Sequence, residues 1–207
     1  WSVIAPHLFI WDYVVNYRQY LAPFPNFQVL ADNIKTFIKY NAIGIQEEAQ
    51  YQSFGGEFSD MKSWVVAKLL WNPELDTDAL TTEFITNYYG AAAPYVQQYF
   101  DLCRSLVKPD TVMGIYIDHM NPLYTDEFVK EAASLTKAAV ESVKDEDETL
   151  RHRVDLVRLQ TEYLRIMRNP QETESDGTKK WFCEFVLKHG IRINEGMKTE
   201  KFVESLQ

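Results

Sequence analysis

Residues 8–15 and 43–47 are two short runs of mostly apolar, aromatic and β-branched side chains, each followed by a helical pattern. Runs of this length with little polar alternation are typical of strands buried on both faces of a parallel sheet. The order strand, helix, strand, helix is that of a parallel α/β layer. Two strands alone are too few for a stable sheet of this kind. We therefore expect partner strands, either upstream of Trp1 or in another copy of the chain.

The helical patterns that follow these runs have recognisable ends. Apolar residues recur at helical spacing between Asn26 and Asn41, which predicts a helix with Asn26 as its cap. A second helix is predicted from about Glu57 to Leu70. We expect the preceding Gly55-Gly56 pair only to permit the turn into that helix.

The second half of the chain is predominantly helical in pattern. The predicted helices are 77–89, 94–107, 125–144, 146–168 and 178–189, with another from about 199, a short extended piece at 112–118 and a polar turn at 171–178. The sequence thus predicts strand–helix units over residues 1–75 and a helical bundle over residues 76–207. The fold class is predominantly α.

Charge and composition exclude several classes of function. The 207 residues carry a formal charge of −9, which argues against binding to a nucleic-acid backbone. No apolar run is long enough to predict a membrane span. The four histidines are scattered and no Cys/His metal spacing occurs, so we expect neither a metal nor another cofactor. Cys103 and Cys183 are expected to be buried thiols, and a disulfide between them in an oxidising compartment is the alternative.

Polar and aromatic side chains follow the predicted strands at their carboxyl ends, where ligands bind in such layers. The candidate binding residues are Trp11, Asp12, Tyr13, Asn16, Tyr17, Glu47, Glu48 and Gln50. Carboxylates accept hydrogen bonds from sugar hydroxyls, and a sugar ring can lie on an aromatic face. We expect Trp11 to stack on a sugar, with Asp12 and Glu47 binding its hydroxyls and Glu47 facing the pocket. The alternative for Trp11 and Tyr13 is packing in the core.

A series of motifs in residues 1–110 resembles one protein family. The motifs are Phe9-Ile-Trp-Asp-Tyr13, Tyr20-Leu-Ala-Pro-Phe-Pro-Asn26, Gly44-Ile-Gln-Glu47, Gln52-Ser-Phe-Gly-Gly-Glu-Phe58, Lys68-Leu-Leu-Trp-Asn-Pro73 and Tyr88-Tyr-Gly-Ala-Ala-Ala-Pro94. The family is that of glycoside-hydrolase-like domains of unknown function from polysaccharide-degrading Bacteroidetes. It is similar to α-glucuronidase and β-hexosaminidase-type barrels.

The resemblance implies that the strands are the last two of a (β/α)8 barrel, followed by a C-terminal helical region. It implies a protein outside the cytoplasm, whether periplasmic, cell-surface or secreted, and a carbohydrate partner. The general acid of such barrels usually comes from a middle strand. Trp11, Asp12 and Glu47 would then contact substrate, and this chain alone would be an inactive fragment.

Three functions follow as hypotheses. The first is a glycoside hydrolase of which this chain contributes part of the sugar-binding face. The second is a module that binds carbohydrate without cleaving it, and the third is a helical interaction domain whose aromatic residues all lie in the core. Self-association through an exposed barrel remnant is a further expectation. The sugar, its linkage and the stereochemical outcome are not predicted.

Overall fold

The computed structural model describes residues 1–206, which contain two strands and nine α-helices. The elements are β1 Leu8–Tyr13, α1 Phe27–Lys39, β2 Ala42–Glu48, α2 Ser59–Trp71, α3 Thr77–Tyr89, α4 Ala93–Arg104, α5 Asp126–Ser142, α6 Glu148–Arg168, α7 Pro170–Ser175, α8 Thr178–His189 and α9 Thr199–Ser205. A 3₁₀ helix, Gly90–Ala92, joins α3 to α4. The predominantly helical fold is confirmed. No helix in the described residues is both long and apolar enough to cross a membrane.

Local signals explain where most helices begin and end. The carboxylate of Asp76 accepts from the backbone N–H groups at the start of α3, and the side chains of Thr125 and Asp147 do the same for α5 and α6. Gly190 follows α8 with a positive φ of 62°. The predicted helices are confirmed to within a few residues, although residues 112–118 form no regular strand.

The predicted polar turn at 171–178 is wrong, because most of this stretch belongs to the short helix α7. Pro170 occupies its first turn, where a missing N–H costs no hydrogen bond. Thr173 is buried, and its hydroxyl donates to the carbonyl of Asn169. A helix of six residues depends on such contacts more than on its own sequence pattern.

The strands β1 and β2 pair in parallel, as predicted, with Trp11 opposite Gln46, Asp12 opposite Glu47 and Tyr13 opposite Glu48. No third strand occurs within residues 1–206. Two parallel strands, each followed by a helix, are therefore present, whereas the predicted remnant of a (β/α)8 barrel is not confirmed.

The expectation that both faces of the sheet are buried is wrong. Side chains of β1 alternate strictly between half-buried and exposed, and the Phe9 ring lies against Gly44 on the exposed side. We call this side the open face; it comprises Phe9, Trp11 and Tyr13 of β1 and Gly44, Gln46 and Glu48 of β2. The opposite, half-buried face carries Ile10, Asp12, Ile45 and Glu47, and α1 packs beside β2. The alternation follows from the two-residue period of a strand once only one face is covered.

The chain from residue 14 to residue 27, here named the β1–α1 segment, is buried except at Arg18. Distant parts of the chain satisfy its backbone. The N–H of Tyr17 donates to the Ile115 carbonyl at 2.8 Å, and that of Tyr20 donates to the Ile193 carbonyl at 2.8 Å. Buried backbone groups need such partners. The segment is thus held between residues 111–117 and the residues that follow α8.

A buried ion pair at the start of α2 is hydrogen-bonded to the β1–α1 segment. The Lys62 ammonium lies 2.7 Å from the Glu57 carboxylate and also donates to the Phe24 carbonyl. Burial raises the pKa of Glu57, while the adjacent Lys62 lowers it. Glu57 also donates its backbone N–H to the Tyr20 carbonyl at 2.7 Å. All of these contacts lie within residues 1–75, so they do not test the predicted division of the chain at residue 75. That division stays a prediction.

Both cysteines are free thiols in the structure. Cys103 is buried in α4, and burial raises the pKa of its thiol well above the ordinary value. Cys183 on α8 is half-buried, with a pKa that burial also raises. The expectation of free thiols is confirmed, although Cys183 is only partly buried, and the alternative of a disulfide is not seen.

Candidate functional site

The open face presents a row of three aromatic rings along β1. Phe9 is 72% exposed, Trp11 60% and Tyr13 41%. Residues two apart on a strand lie about 6.7 Å apart, so the row extends over about 13 Å. Large apolar side chains grouped in this way are uncommon on a surface without a binding role. The open face is therefore the first candidate site.

Glu48 on β2 fixes the orientation of the central ring. The indole N–H of Trp11 donates to Oε2 of Glu48 at 2.7 Å. A carboxylate can accept several hydrogen bonds, so Glu48 retains capacity for a ligand donor beside the ring. Gln46, the register partner of Trp11, is also exposed and adds an amide. The open face thus combines apolar rings with a few polar groups.

Asp12 and Glu47 are register partners on the half-buried face of the sheet. The pKa of Glu47 is raised to about 7, first by burial and second by the charge of Asp12. Oε2 of Glu47 is buried without a hydrogen-bond partner in the described residues. Asp12 accepts from the backbone N–H of Tyr13 at 2.9 Å. The two carboxylates are close enough to interact, and Glu47 holds a proton over a substantial fraction of the neutral range.

A cleft of about 500 Å³ opens at the carboxyl end of β1. Its walls include Asp12 and Tyr13, the start of α1 and the chain from Val107 to Ile115. Asn26 at the start of α1 donates its side-chain N–H to the Val14 carbonyl. The Oδ1 atom of the same side chain is buried and has no hydrogen-bond partner in the described residues. The cleft is the second candidate site, because carboxylate, aromatic and amide groups converge there.

Two of the sequence-predicted binding residues lie in the interior. Asn16 donates from its amide to the Ile117 carbonyl at 2.9 Å and accepts from the Ile117 N–H at 3.1 Å. The Tyr17 hydroxyl donates to the Glu48 carbonyl at 3.1 Å, and burial raises the pKa of that hydroxyl. Both side chains hold parts of the fold together. A role for either in binding stays a prediction.

Gln50 links the loop after β2 to the chain that follows α8. Its amide donates to the Ser53 hydroxyl at 2.8 Å and to the Arg192 carbonyl at 3.4 Å. Gly56 lies so close to the Gln50 side chain that a Cβ at this position would collide with it. Gly55 adopts a positive φ of 88° in the same turn. Gln50 therefore shapes the loop, and its predicted contact with substrate is untested.

The residues predicted to share one pocket lie on two sides of the sheet. Trp11, Tyr13 and Glu48 belong to the open face, whereas Asp12 and Glu47 belong to the half-buried face. The expectation that Glu47 accompanies Trp11 is wrong, because the register places Glu48 beside the indole. The prediction also omitted Phe9 and Gln46. The alternation of aromatic residues at positions 9, 11 and 13 was the signal that could have identified Phe9.

A further groove, of about 1220 Å³, lies between α5 and the helices α6 to α8. Its central cation is Arg165, whose guanidinium pairs with Glu162, Glu172 and Asp176 at 2.7–2.8 Å. The guanidinium is already paired with these three carboxylates, so it offers little to an anionic ligand. No group of three or more possible metal-ligating side chains occurs among residues 1–206. We therefore place the candidate site at the sheet.

Residues 1–101, just under half of the chain, match the model of a family described as "Domain of unknown function (DUF4838)". Neither the curated proteins nor the solved structures contain a match to this chain. The matched residues include both strands and all six sequence motifs described above. The match is a similarity over residues 1–101 and carries no activity. The likeness to glycoside-hydrolase-like domains and a bacterial source remain predictions.

Proposed function

We propose that the open face of the sheet binds carbohydrate. Trp11 provides a flat ring for the C–H face of a sugar, and Glu48 and Gln46 accept hydrogen bonds from its hydroxyls. The observation that carries this proposal is the exposed Trp11 whose indole N–H is held by Glu48 at 2.7 Å. A ring fixed in this way loses little freedom when a ligand stacks on it.

The length of the aromatic row supports an extended ligand. Phe9, Trp11 and Tyr13 follow one another over about 13 Å, which suits a short oligosaccharide better than a single sugar. The rival function is an interaction domain whose aromatic residues are all core. The 72% exposure of Phe9 and 60% exposure of Trp11 favour the binding function over that rival.

Titration with a panel of neutral oligosaccharides, followed by tryptophan fluorescence and calorimetry, tests the proposal. Replacing Trp11 by Ala should weaken binding at least tenfold, since stacking on that ring is lost. Trp71 is the matched control, because it is 91% exposed on α2, away from the open face. Trp71→Ala should bind as the unmodified chain does. Equal binding by Trp11→Ala and the unmodified chain, or binding of no sugar in the panel, would contradict the proposal.

Hydrolysis of a glycosidic bond is the second candidate function, and the Asp12–Glu47 pair favours it. A carboxyl group whose pKa lies near 7 can donate a proton at neutral pH. Asp12 remains its neighbouring carboxylate. The pair opens toward the half-buried side, so a substrate on Trp11 would reach it only around the carboxyl end of β1. The resemblance implies that activity needs barrel strands outside this chain.

Turnover of aryl glycosides by the longest natural form of the protein tests the hydrolase candidate. Asp12→Asn and Glu47→Gln should each reduce turnover at least tenfold if the pair takes part in the reaction. Full activity in both variants would refute a role for the pair. Location outside the cytoplasm and self-association through the open face are further proposals, and sedimentation velocity measures the latter directly.

A further inference from the structure

Four aromatic rings from three parts of the chain form a small cluster at the end of α8. His152 lies on α6, Phe185 and His189 on α8, and Phe54 in the loop between β2 and α2. The two imidazole centroids are 4.7 Å apart, and Phe185 lies 5.6 Å from His152 and 4.5 Å from His189. Phe54 lies 6.1 Å and 6.4 Å from the same imidazoles. We call these four side chains the His–Phe cluster.

The cluster sits where the β2–α2 loop is attached to the rest of the molecule. Ser53, next to Phe54, accepts from the backbone N–H of Arg192 at 2.8 Å. Gln52 donates to the Glu195 carbonyl at 3.0 Å, and Tyr20 donates to the Gln52 side chain at 2.9 Å. The β2–α2 loop therefore has two sets of contacts in this region: ring contacts with α8 in the cluster, and hydrogen bonds to residues 192–195.

We propose that the His–Phe cluster is an acid-sensitive latch, in which protonation of His152 and His189 releases Phe54 and loosens the β2–α2 loop from residues 191–195. Two imidazolium groups at the observed spacing would repel each other. The loop would then open toward Tyr20 and the β1–α1 segment.

The surroundings of the cluster favour neutral imidazoles. Burial lowers the pKa of both histidines, and the charge of Lys188 on α8 lowers both further. The proximity of His152 also lowers the pKa of His189. The facing acids oppose these effects: Glu148 raises both pKa values, Asp60 on α2 raises that of His152, and Asp155 raises that of His189. Burial raises the pKa of Asp155 itself, and the charges of Arg158 and Arg151 on α6 oppose that rise.

The direction of the pH response follows from these shifts. A histidine whose pKa is lower in the closed state binds fewer protons there than in the open state, so acid favours opening. The ordinary pKa of histidine is near 6.5. The latch should therefore be closed above pH 7 and weaken progressively as the pH falls below about 6.5.

Amide hydrogen exchange at pH 7.5 and pH 5.0, corrected for the intrinsic pH dependence of exchange, tests the latch in the whole chain. Peptides covering residues 49–58 and 190–195 should lose protection at least tenfold at pH 5.0. Peptides from α5 and α4 should not, since they lie outside the latch. Unchanged protection of residues 49–58 at pH 5.0 overturns the proposal.

Substituting phenylalanine for both histidines supplies the decisive comparison. His152→Phe with His189→Phe keeps apolar rings in the cluster and removes the titrating groups, so protection should persist at pH 5.0. The single variant His189→Phe serves if the double variant fails to unfold cooperatively at pH 7.5. His7→Phe changes an exposed histidine far along the chain from the cluster and should leave the acid response intact. An equal acid response in the cluster variants overturns the proposal.

Discussion

Strand β1 and the β1–α1 segment that follows it both carry several aromatic side chains. Phe9, Trp11 and Tyr13 of the strand are exposed to solvent, whereas Tyr17 and Tyr20 of the segment are buried. The open face of the strand has no covering element in the described structure, while the segment is enclosed by residues 111–117 and residues 191–195. The role of an aromatic side chain here depends on the distant chain that packs against it.

The same comparison separates stability from function. In the segment, side chains satisfy buried backbone groups, as Asn16 does for Ile117 and Tyr124 does for the Pro23 carbonyl at 2.7 Å. Along the open face, Glu48 orients Trp11 without burying it. Changes in the segment should therefore cost folding free energy. Changes on the open face should cost ligand binding and leave the fold intact.

Among changes that remove a hydrogen-bonding side chain, the largest effect on stability is expected in the segment, for Asn16→Ala. This change leaves the N–H and carbonyl of Ile117 without their side-chain partners in a buried position, which should lower the free energy of unfolding by about 2–3 kcal/mol. Urea denaturation at pH 7.5 measures the difference. Asn87→Ala is the matched control, because its exposed side chain bonds only within α3. If Asn16→Ala lowers the free energy of unfolding no more than Asn87→Ala does, the contrast between the segment and the open face is refuted.

An intermediate effect is expected on the half-buried face, for Glu47→Gln. The pKa of Glu47 is raised in the folded chain to about 7 from an ordinary 4.5, so the folded state favours the protonated form. The burial cost of the charge is absent below pH 4.5 and complete above pH 7. Glu47→Gln should therefore stabilise the chain by about 1 kcal/mol at pH 8, after reduction for partial exposure, and by little at pH 4.

Thermal unfolding of the Glu47→Gln variant across this pH range, beside Glu131→Gln, measures the effect. Glu131 is exposed on α5 and should show no pH-dependent gain. If Glu47→Gln destabilises the chain at pH 8, the carboxylate is stabilised by a contact that the geometry does not contain. The half-buried face would then stabilise its charged group through specific contacts, as the buried β1–α1 segment does for its polar groups.

Local sequence patterns predicted most of the fold, because the relevant interactions are themselves local. Thr125 and Asp147 cap helices through residues three positions away, and Gly190 ends a helix by its own conformation. The pairing of the strands also followed from a general rule for strand–helix units. The helix ends depend on no contact between distant parts of the chain, whereas the strand pairing is a long-range contact that the general rule anticipates.

Long-range contacts explain what the sequence did not predict. Asn16 meets Ile117 across about a hundred residues, and Tyr20 meets Ile193 across a still longer stretch. No local pattern indicates such pairings, so Asn16 and Tyr17 were predicted only as binding residues and not as residues that hold the fold together. The candidate site shares Trp11, Tyr13 and Glu48 with the residues named from the sequence, and their role in binding stays a prediction. Its division between two faces depends on register, which places Glu48 beside Trp11.

The smallest effect on stability is expected for Phe9→Ala on the open face. The ring lies over Gly44 but remains largely exposed, so its removal should change the free energy of unfolding by no more than about 0.5 kcal/mol. Phe24→Ala in the buried segment is the matched comparison and should cost about 3–5 kcal/mol. Urea denaturation of the two variants compares them directly. A large loss from Phe9→Ala would mean that another surface covers the open face in solution, because an exposed ring has little packing to lose.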